Sequence, residues 1–167
     1  MISPGRATEK YPMEVITMPQ SFSSVYLHII FGTAGRMRCI SGEMRQRLYS
    51  CIGGILREKG CKLLKAGGTK DHVHLLISFP RDISIANLLR EVKSSSSKWV
   101  HETYSNMKWF KWQDGYGVFS VSQSLLGDVM RYIERQEEHH KKITFREEFL
   151  RFLERHNVKL DQRYILK

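Results

Sequence analysis

The chain has 167 residues, of which 41% are hydrophobic, and a formal net charge of +10. This composition is typical of one folded domain with its own core, and it excludes a wholly disordered chain. No apolar run approaches the roughly 20 residues that a membrane-spanning helix needs. The positive charge favours a polyanionic partner, nucleic acid first, although solubility alone would also explain it.

The two ends of the chain differ in character. Residues 1–20 lack the apolar stretch of a secretory signal and are predicted to be a flexible tail, with Met18 as an alternative start. Residues 21–167 are predicted to form a single domain. The three cysteines (Cys39, Cys51 and Cys61) are odd in number and lack metal-ligand spacing, which indicates reduced thiols in a cytoplasmic protein.

Strands and helices alternate along the domain. In chain order the predicted elements are a strand over 25–31, a helix over 42–59, strands over 61–66 and 72–79 joined by a turn, a helix over 85–104, a strand over 115–122, and helices over 125–142 and 145–156. The residues predicted to cap the helices are Ser41, Ser84, Ser124 and Thr144, the last in a capping box with Glu147. The run of four serines at 94–97 is predicted to be a polar helix face rather than a linker.

The order of these elements is β-α-β-β-α-β followed by two helices. A hairpin in the middle with a crossover helix on either side is the split βαβ pattern. The predicted fold class is therefore α+β: a ferredoxin-like, four-stranded, mainly antiparallel sheet with helices on one face and two extra C-terminal helices.

His72 and His74 are the first candidate site residues. Alternate residues of a strand point to the same face, so the two imidazoles are roughly 7 Å apart along it, while Val73 turns into the core. Two imidazoles can converge on a divalent metal, but they are too few to hold one without further ligands. The alternative is a pair of partly buried, hydrogen-bonded histidines.

Tyr132 and Gln136 form a second candidate pair. They are four residues apart in a predicted helix and hence share one of its faces. A phenol and a neutral oxygen ligand beside two histidines are the parts of a phosphotransfer site. Considered alone, Tyr132 would more often be an aromatic residue at the edge of the core, and Gln136 a solvated one.

Four motifs occur in a fixed order along the chain: Asp71-His72-Val73-His74-Leu75-Leu76, the segment 112–122 (WQDGYGVFSVS), Tyr132-Ile133-x-x-Gln136-x-Glu138-His139-His140, and Glu147-Glu148-Phe149. Together they resemble the single-tyrosine HUH transposases, the insertion-sequence-200-like family that includes the REP-associated tyrosine transposases. The resemblance runs from about Ser21 to the C-terminus. Arg135 departs from it, because the family often has Asn there, but this is not a ligand position.

The resemblance implies a transposase-like catalytic domain over residues 21–167. It implies that His72, His74 and Gln136 bind Mg²⁺ or Mn²⁺, and that Tyr132 attacks single-stranded DNA with hairpin ends to leave a 5′-phosphotyrosine. It also implies a homodimer, with the tyrosine acting in cis or in trans. Basic residues that are candidates for phosphate contacts are Arg36, Arg38, Lys65, Lys70, Lys93 and Lys98.

Four polar residues near these motifs are expected to lie outside the site. His28 is interpreted as a hydrogen-bonded histidine of the sheet, the alternative being that it lines the site. His139 and His140 are interpreted as a solvated helix end, the alternative being that they offer a further ligand. Asp71 is interpreted as a turn residue that faces away from the histidines.

Two other functions remain open. One is a decayed relative that binds hairpin DNA or RNA without strand transfer. The other is a phosphoesterase with paired histidines; such enzymes usually need a second H-x-[ST] step, which the other histidines of this chain do not supply.

Overall fold

The computed structural model describes residues 22–159. The predicted tail over residues 1–20, with the alternative start Met18, therefore lies outside the described residues. Within the described range, no helix combines the length and the apolar character needed to cross a membrane.

A four-stranded sheet lies at the centre of the molecule. Its strands are β1 (Tyr26–Gly32), β2 (Lys62–Gly68), β3 (His72–Ser78) and β4 (Gly117–Val121), in the spatial order β2-β3-β1-β4. All neighbouring pairs are antiparallel. This is the order expected of the split βαβ pattern, so the predicted α+β fold class is confirmed.

Two helices cover one face of the sheet. Helix α1 (Gly42–Glu58) and helix α2 (Ile85–Thr103) begin at Ser41 and Ser84, whose side chains accept hydrogen bonds from backbone N–H groups as predicted. The residues that β1 and β3 contribute to the core beneath these helices are Leu27, Ile29, Phe31, Val73, Leu75 and Ile77. Alternation along both strands therefore directs the even-numbered residues, including the histidines, to the opposite face.

The serine run belongs to α2, as predicted. Ser96 is fully buried, where its hydroxyl donates to the carbonyl of Val92 and accepts from Nε1 of Trp112 at 2.9 Å. The run is thus partly a packing surface of the helix and not only a polar face.

The C-terminal part of the chain covers the second face. It consists of α3 (Leu126–Glu134), α4 (Gln136–His139) and α5 (Phe145–Arg155). A small apolar cluster of Ile30, Phe119 and Leu153, with phenylalanines of α5 packed on it, holds α5 against the sheet. The capping box of Thr144 and Glu147 is present as predicted.

The prediction of one continuous helix from Ser124 to about Lys142 is wrong. Residues Gln123–Leu125 form a 3₁₀ turn, and the Ser124 hydroxyl pairs with that of Ser122 at 3.0 Å instead of capping a helix. The helix is then interrupted at Arg135, whose ψ of 16° departs from helical geometry. Gln136 begins a separate turn after this interruption, and its side chain is buried.

Candidate metal and nucleophile site

Three histidines meet on the sheet face that the C-terminal helices cover. His72 and His74 follow each other on β3, and His28 lies on the neighbouring strand β1, where its Nε2 is 2.9 Å from Nδ1 of His74. All three are at least 98% buried. Their neighbours are polar side chains as well as aromatic rings, so the imidazoles are not in the apolar core. His28 is a hydrogen-bonded histidine of the sheet, as expected, but its hydrogen-bond partner is His74, a candidate site residue.

Asp71 contradicts the expectation that it faces away from the histidines. Its Oδ1 accepts a hydrogen bond from Nδ1 of His72 at 2.8 Å, and its Oδ2 accepts one from Arg36 at 3.0 Å. Burial would raise the pKa of Asp71, but the hydrogen bond with His72 and the charge of Arg36 outweigh burial and hold that pKa well below its usual range. An ionised Asp71 fixes the proton of His72 on Nδ1 and leaves the Nε2 lone pair for a ligand.

The segment that contains α4 and α5 brings three more polar side chains to the histidines. The Oε1 of Gln136 lies 3.3 Å from Nε2 of His72, and the Nε2 of Gln136 donates to Oε1 of Glu148 at 2.9 Å. The Nε2 of His140 is 3.0 Å from Oε2 of Glu148. The interpretation of His140 as part of a solvated helix end is therefore wrong, because its ring is half-buried within the cluster.

Tyr132 lies beside this cluster in the same chain. Its hydroxyl donates a hydrogen bond to Oε1 of Glu148 and is 3.5 Å from Nε2 of His139. The centroids of the Tyr132 and His74 rings are 6.0 Å apart. The fold therefore brings together all four residues singled out from the sequence: His72, His74, Tyr132 and Gln136.

Glu148 is the site residue that the sequence reasoning missed. It is 2% exposed, and burial raises its pKa to about 8, with the charge of Arg36 acting in the opposite direction. A pattern in α5 would have identified it. Phe145, Phe149 and Phe152 mark the apolar face of the helix, and Glu148 lies within that face, where a carboxylate is unexpected.

The donor atoms are suited to a divalent cation. Ligand atoms of His72, His74, His140 and Glu148 all lie within 4.8 Å of one another. Among residues 22–159, the Nε2 of His74 makes no hydrogen bond, and it lies 3.4 Å from Oε2 of Glu148. Imidazole, carboxylate and amide donors together fit Mn²⁺, and the oxygen donors also fit Mg²⁺.

Burial favours the neutral, metal-binding form of His28, His74 and His140. Burial lowers the pKa of His140 to about 4, and burial together with the neighbouring histidines lowers the pKa of His74 well below its usual value. Burial, with a smaller contribution from His156, lowers the pKa of His28 to about 4. These three histidines are therefore neutral at pH 7, and a metal can bind them without first displacing a proton.

The basic residues proposed as phosphate contacts have different surroundings. Arg36 stacks on the ring of Phe145 as well as pairing with Asp71. The Nζ of Lys93 donates to the carbonyls of residues 113, 114 and 115 at 2.8–3.1 Å, so all its protons have acceptors within the protein. Lys65 pairs with Glu134 at 3.0 Å, whereas Lys98 is exposed, with Glu102 at 3.9 Å.

Arg38 and Lys70 are exposed and line a groove of about 810 Å³ beside the cluster. The other cationic residues that line it are Arg45, Lys141 and Lys142, and the acidic ones are Asp71, Glu137, Glu138 and Glu147. This groove, called the basic groove below, therefore has a small excess of positive charge, and it is lined by two residues of the site, Asp71 and His140.

Comparison with known proteins gives one matching family model, which is described as IS200-like transposase and covers residues 21–136. The transposase for insertion sequence element IS200 from Salmonella typhimurium is 28% identical over 120 residues, which are 68% of this chain and 78% of the relative. The ISDra2 transposase TnpA from Deinococcus radiodurans is 25% identical over 114 residues, covering 65% of this chain and 81% of the relative.

Two solved structures share the fold. A candidate transposase from Deinococcus radiodurans superimposes with a TM-score of 0.58 at 21% identity, covering 81% of this chain and 98% of that one. A REP-associated tyrosine transposase bound to a REP hairpin gives a TM-score of 0.51 at 13% identity, covering 75% and 72%. At these identities the two likenesses concern the architecture alone.

Proposed function

The chain belongs to the IS200-like transposase family, and from this premise we propose that it cuts and rejoins single-stranded DNA through a covalent bond to Tyr132. The observation that carries the proposal is the position of the Tyr132 hydroxyl in the same polar cluster as His72, His74 and Gln136. A nucleophile beside convergent ligand atoms is the arrangement that phosphoryl transfer requires.

The reaction proposed is a transesterification. The Tyr132 oxygen attacks the phosphorus atom, the bond from phosphorus to the 3′-oxygen breaks, and the released strand takes a proton to end in a 3′-hydroxyl. The other strand end remains as a 5′-phosphotyrosine. Because a phosphodiester replaces a phosphodiester, another 3′-hydroxyl can reverse the step without ATP, and strand transfer follows from the same site.

The metal ligands proposed are His72, His74 and Gln136, with His140 and Glu148 close enough to join them. A bound Mg²⁺ or Mn²⁺ would act as a Lewis acid, neutralising charge on the scissile phosphate and orienting it. Asp71 and His28 hold the two strand imidazoles by their Nδ1 atoms, so that both Nε2 atoms face the cluster.

The basic groove is the proposed path of the strand that carries the scissile phosphate. Asp71 and His140, which belong to the candidate site, are among its lining residues. The imidazoles are covered by Glu148 and Gln136, so the phosphate reaches them by displacing side chains of the α4–α5 segment. Hairpin-bearing DNA in the cytoplasm is the proposed substrate, since the related REP-associated transposase was solved with a REP hairpin.

A homodimer remains the expectation from the family resemblance. The site described here draws Tyr132 and both histidines from one chain, so the proposed chemistry is complete within a protomer. Dimer formation would then serve to bring two DNA ends together and not to assemble the site.

The test is a search for the covalent intermediate. The full chain is incubated with 3′-labelled hairpin DNA and Mn²⁺, and the products are separated on a denaturing gel. We expect a labelled protein band that is absent from Tyr132→Phe and present in the matched variant Tyr116→Phe, whose ring is exposed at 39%. An equal band from Tyr132→Phe would overturn the assignment, and tight hairpin binding without any band would favour a binding protein.

A further inference from the structure

The Gln136 side-chain amide lies between His72 and Glu148. Its Oε1 faces Nε2 of His72 at 3.3 Å, while its Nε2 donates to Oε1 of Glu148 at 2.9 Å. An amide presents an acceptor at one end and two donors at the other. Oε1 of Glu148 is an acceptor whether or not the carboxyl group is protonated, because a proton on this group would lie on Oε2, which faces Nε2 of His140 at 3.0 Å. The contact with Glu148 therefore selects one of the two orientations of the amide.

The orientation of this amide matters for cation binding. The terminal torsion of glutamine is broad and roughly two-fold, so the amide has no strong preference of its own. With the oxygen toward His72, Gln136 offers a ligand atom to the space between the histidines. In the flipped orientation it would direct an NH₂ group there, which a cation repels.

We propose that Glu148 is a positioning residue, which holds the Gln136 amide with its oxygen toward the cation site and at the same time orients the Tyr132 hydroxyl. The inference rests on the proposed function, because it assigns a role within the same site. A single carboxylate thus sets the direction of one metal ligand and of the nucleophile.

The local structure keeps Glu148 in place independently of any cation. The capping box of Thr144 and Glu147 fixes the first turn of α5, and Glu148 is the next residue. Phe145 and Phe149 stack on each other and pack on the apolar cluster of Ile30, Phe119 and Leu153, which anchors this part of α5. The carboxylate is consequently directed into the cluster by the helix and not by attraction to a metal.

The remaining contacts of Glu148 support a positioning role. Oε1 accepts from both Gln136 and Tyr132, and Oε2 lies 3.0 Å from His140 and 3.4 Å from His74. If Glu148 instead bound the cation through Oε1, the amide of Gln136 and the phenol would compete with the cation for the same oxygen. The positioning role leaves both hydrogen bonds intact.

A double-mutant cycle on Mn²⁺ affinity tests the inference without DNA. Free Mn²⁺ is measured by electron paramagnetic resonance with the full chain, Glu148→Gln, Gln136→Ala and the double variant. We expect Glu148→Gln to weaken binding by about 10–100-fold, as is typical of groups that orient a ligand. We expect the same substitution to have no further effect once Gln136 is alanine.

The matched control is Glu147→Gln, an exposed neighbour in which glutamine retains the capping box, and its Mn²⁺ affinity should be unchanged. If circular dichroism shows that Glu148→Gln is unfolded, Glu148→Asp replaces it in the cycle, because aspartate keeps the carboxyl group but withdraws its oxygens from Gln136.

Two results would overturn the inference. Additive losses in the double variant would make Glu148 a direct ligand, and an unchanged affinity in Glu148→Gln would remove it from the site. If the parent protein binds Mn²⁺ and forms the DNA adduct while the cycle is additive, only this inference fails. If the parent protein binds no Mn²⁺, both this inference and the proposed metal-dependent function are wrong.

Discussion

Asp71 and His72 are adjacent in sequence, and their side chains are joined by a 2.8 Å hydrogen bond between Oδ1 and Nδ1. Neighbours within a strand point to opposite faces, but Asp71 precedes the first residue of β3 and is free of that alternation. Thr69 also bonds to Asp71 Oδ1, at 2.9 Å, and Arg36 bonds to Oδ2, so the carboxylate is held toward the imidazole.

We expect Asp71→Asn to weaken Mn²⁺ binding by about 10–100-fold, because the amide no longer fixes the His72 proton on Nδ1. The measurement is Mn²⁺ titration of the full chain, with circular dichroism as a check of the fold. Asp114→Asn is the matched control, since that side chain is 98% exposed and distant from the histidines in sequence. Equal affinities for the two variants would contradict the role of Asp71.

The sequence predicted the sheet because the sheet depends on short-range patterns, whereas the candidate site residues came from the family resemblance. Alternation in β1 and β3 and the caps at Ser41, Ser84 and Thr144 are local, and the structure agrees with them. The position of Glu148 was not predicted, because it depends on how α5 docks across the sheet.

The break at Arg135 was also missed, for a related reason. Residues 126–139 have helical spacing throughout, and Arg135 is a good helix former. What interrupts the helix is the burial of Gln136 between His72 and Glu148, which are 64 and 12 residues away. Such tertiary contacts override local propensity and leave no local pattern to detect.

Lys93 is expected to stabilise the folded protein and not to bind DNA. Its three carbonyl contacts hold the loop over 113–115, and burial lowers its pKa to about 8. Hydrogen bonds to a charged group typically contribute about 1.5–3 kcal/mol, so we expect Lys93→Met to reduce the free energy of unfolding by on the order of 2 kcal/mol. Urea unfolding measures this change. Lys98→Met, at an exposed position, should change stability by less than about 0.5 kcal/mol, and equal losses would contradict the assignment.

Lys70 is expected to show the opposite behaviour. It is exposed in the basic groove, where a phosphate of the bound strand can approach it. A lost phosphate contact lowers the slope of log K against log salt concentration by about 0.7 for single-stranded DNA. We therefore expect a smaller slope for Lys70→Met and an unchanged slope for Lys93→Met, measured by fluorescence anisotropy with a labelled strand. An unchanged slope in Lys70→Met would remove the groove from the proposed path.

Gly67 on β2 lies against the backbone of α3. A Cβ atom at this position would lie 2.2 Å from the carbonyl oxygen of Ile133 and 2.7 Å from its Cγ2, so the backbone of α3 would have to move. Overpacking of this kind typically costs about 1–3 kcal/mol. Because Tyr132 precedes Ile133, we expect Gly67→Ala to lower both the melting temperature and the yield of DNA adduct.

The control for Gly67 is Gly54→Ala. Gly54 lies inside α1, and a Cβ there would meet no atom within 4 Å. Alanine is favoured over glycine in a helix by roughly 0.5–1 kcal/mol, so this variant should be slightly more stable, with an unchanged adduct yield. A Gly67→Ala protein as active and stable as the parent would show that α3 does not fix the position of the tyrosine.

Mixing two inactive variants distinguishes a site made within one chain from one shared between two. In the structure the Tyr132 hydroxyl and the His74 ring of the same chain lie in one cluster. We therefore expect a mixture of Tyr132→Phe and His72→Ala, refolded together so that any dimers exchange subunits, to form no covalent DNA adduct. If the tyrosine helix instead served a partner subunit, half of the sites in a mixed dimer would join an intact Tyr132 to intact histidines. Adduct would then reappear at up to about a quarter of the parental yield, since half of randomly paired dimers are mixed and each carries one such site.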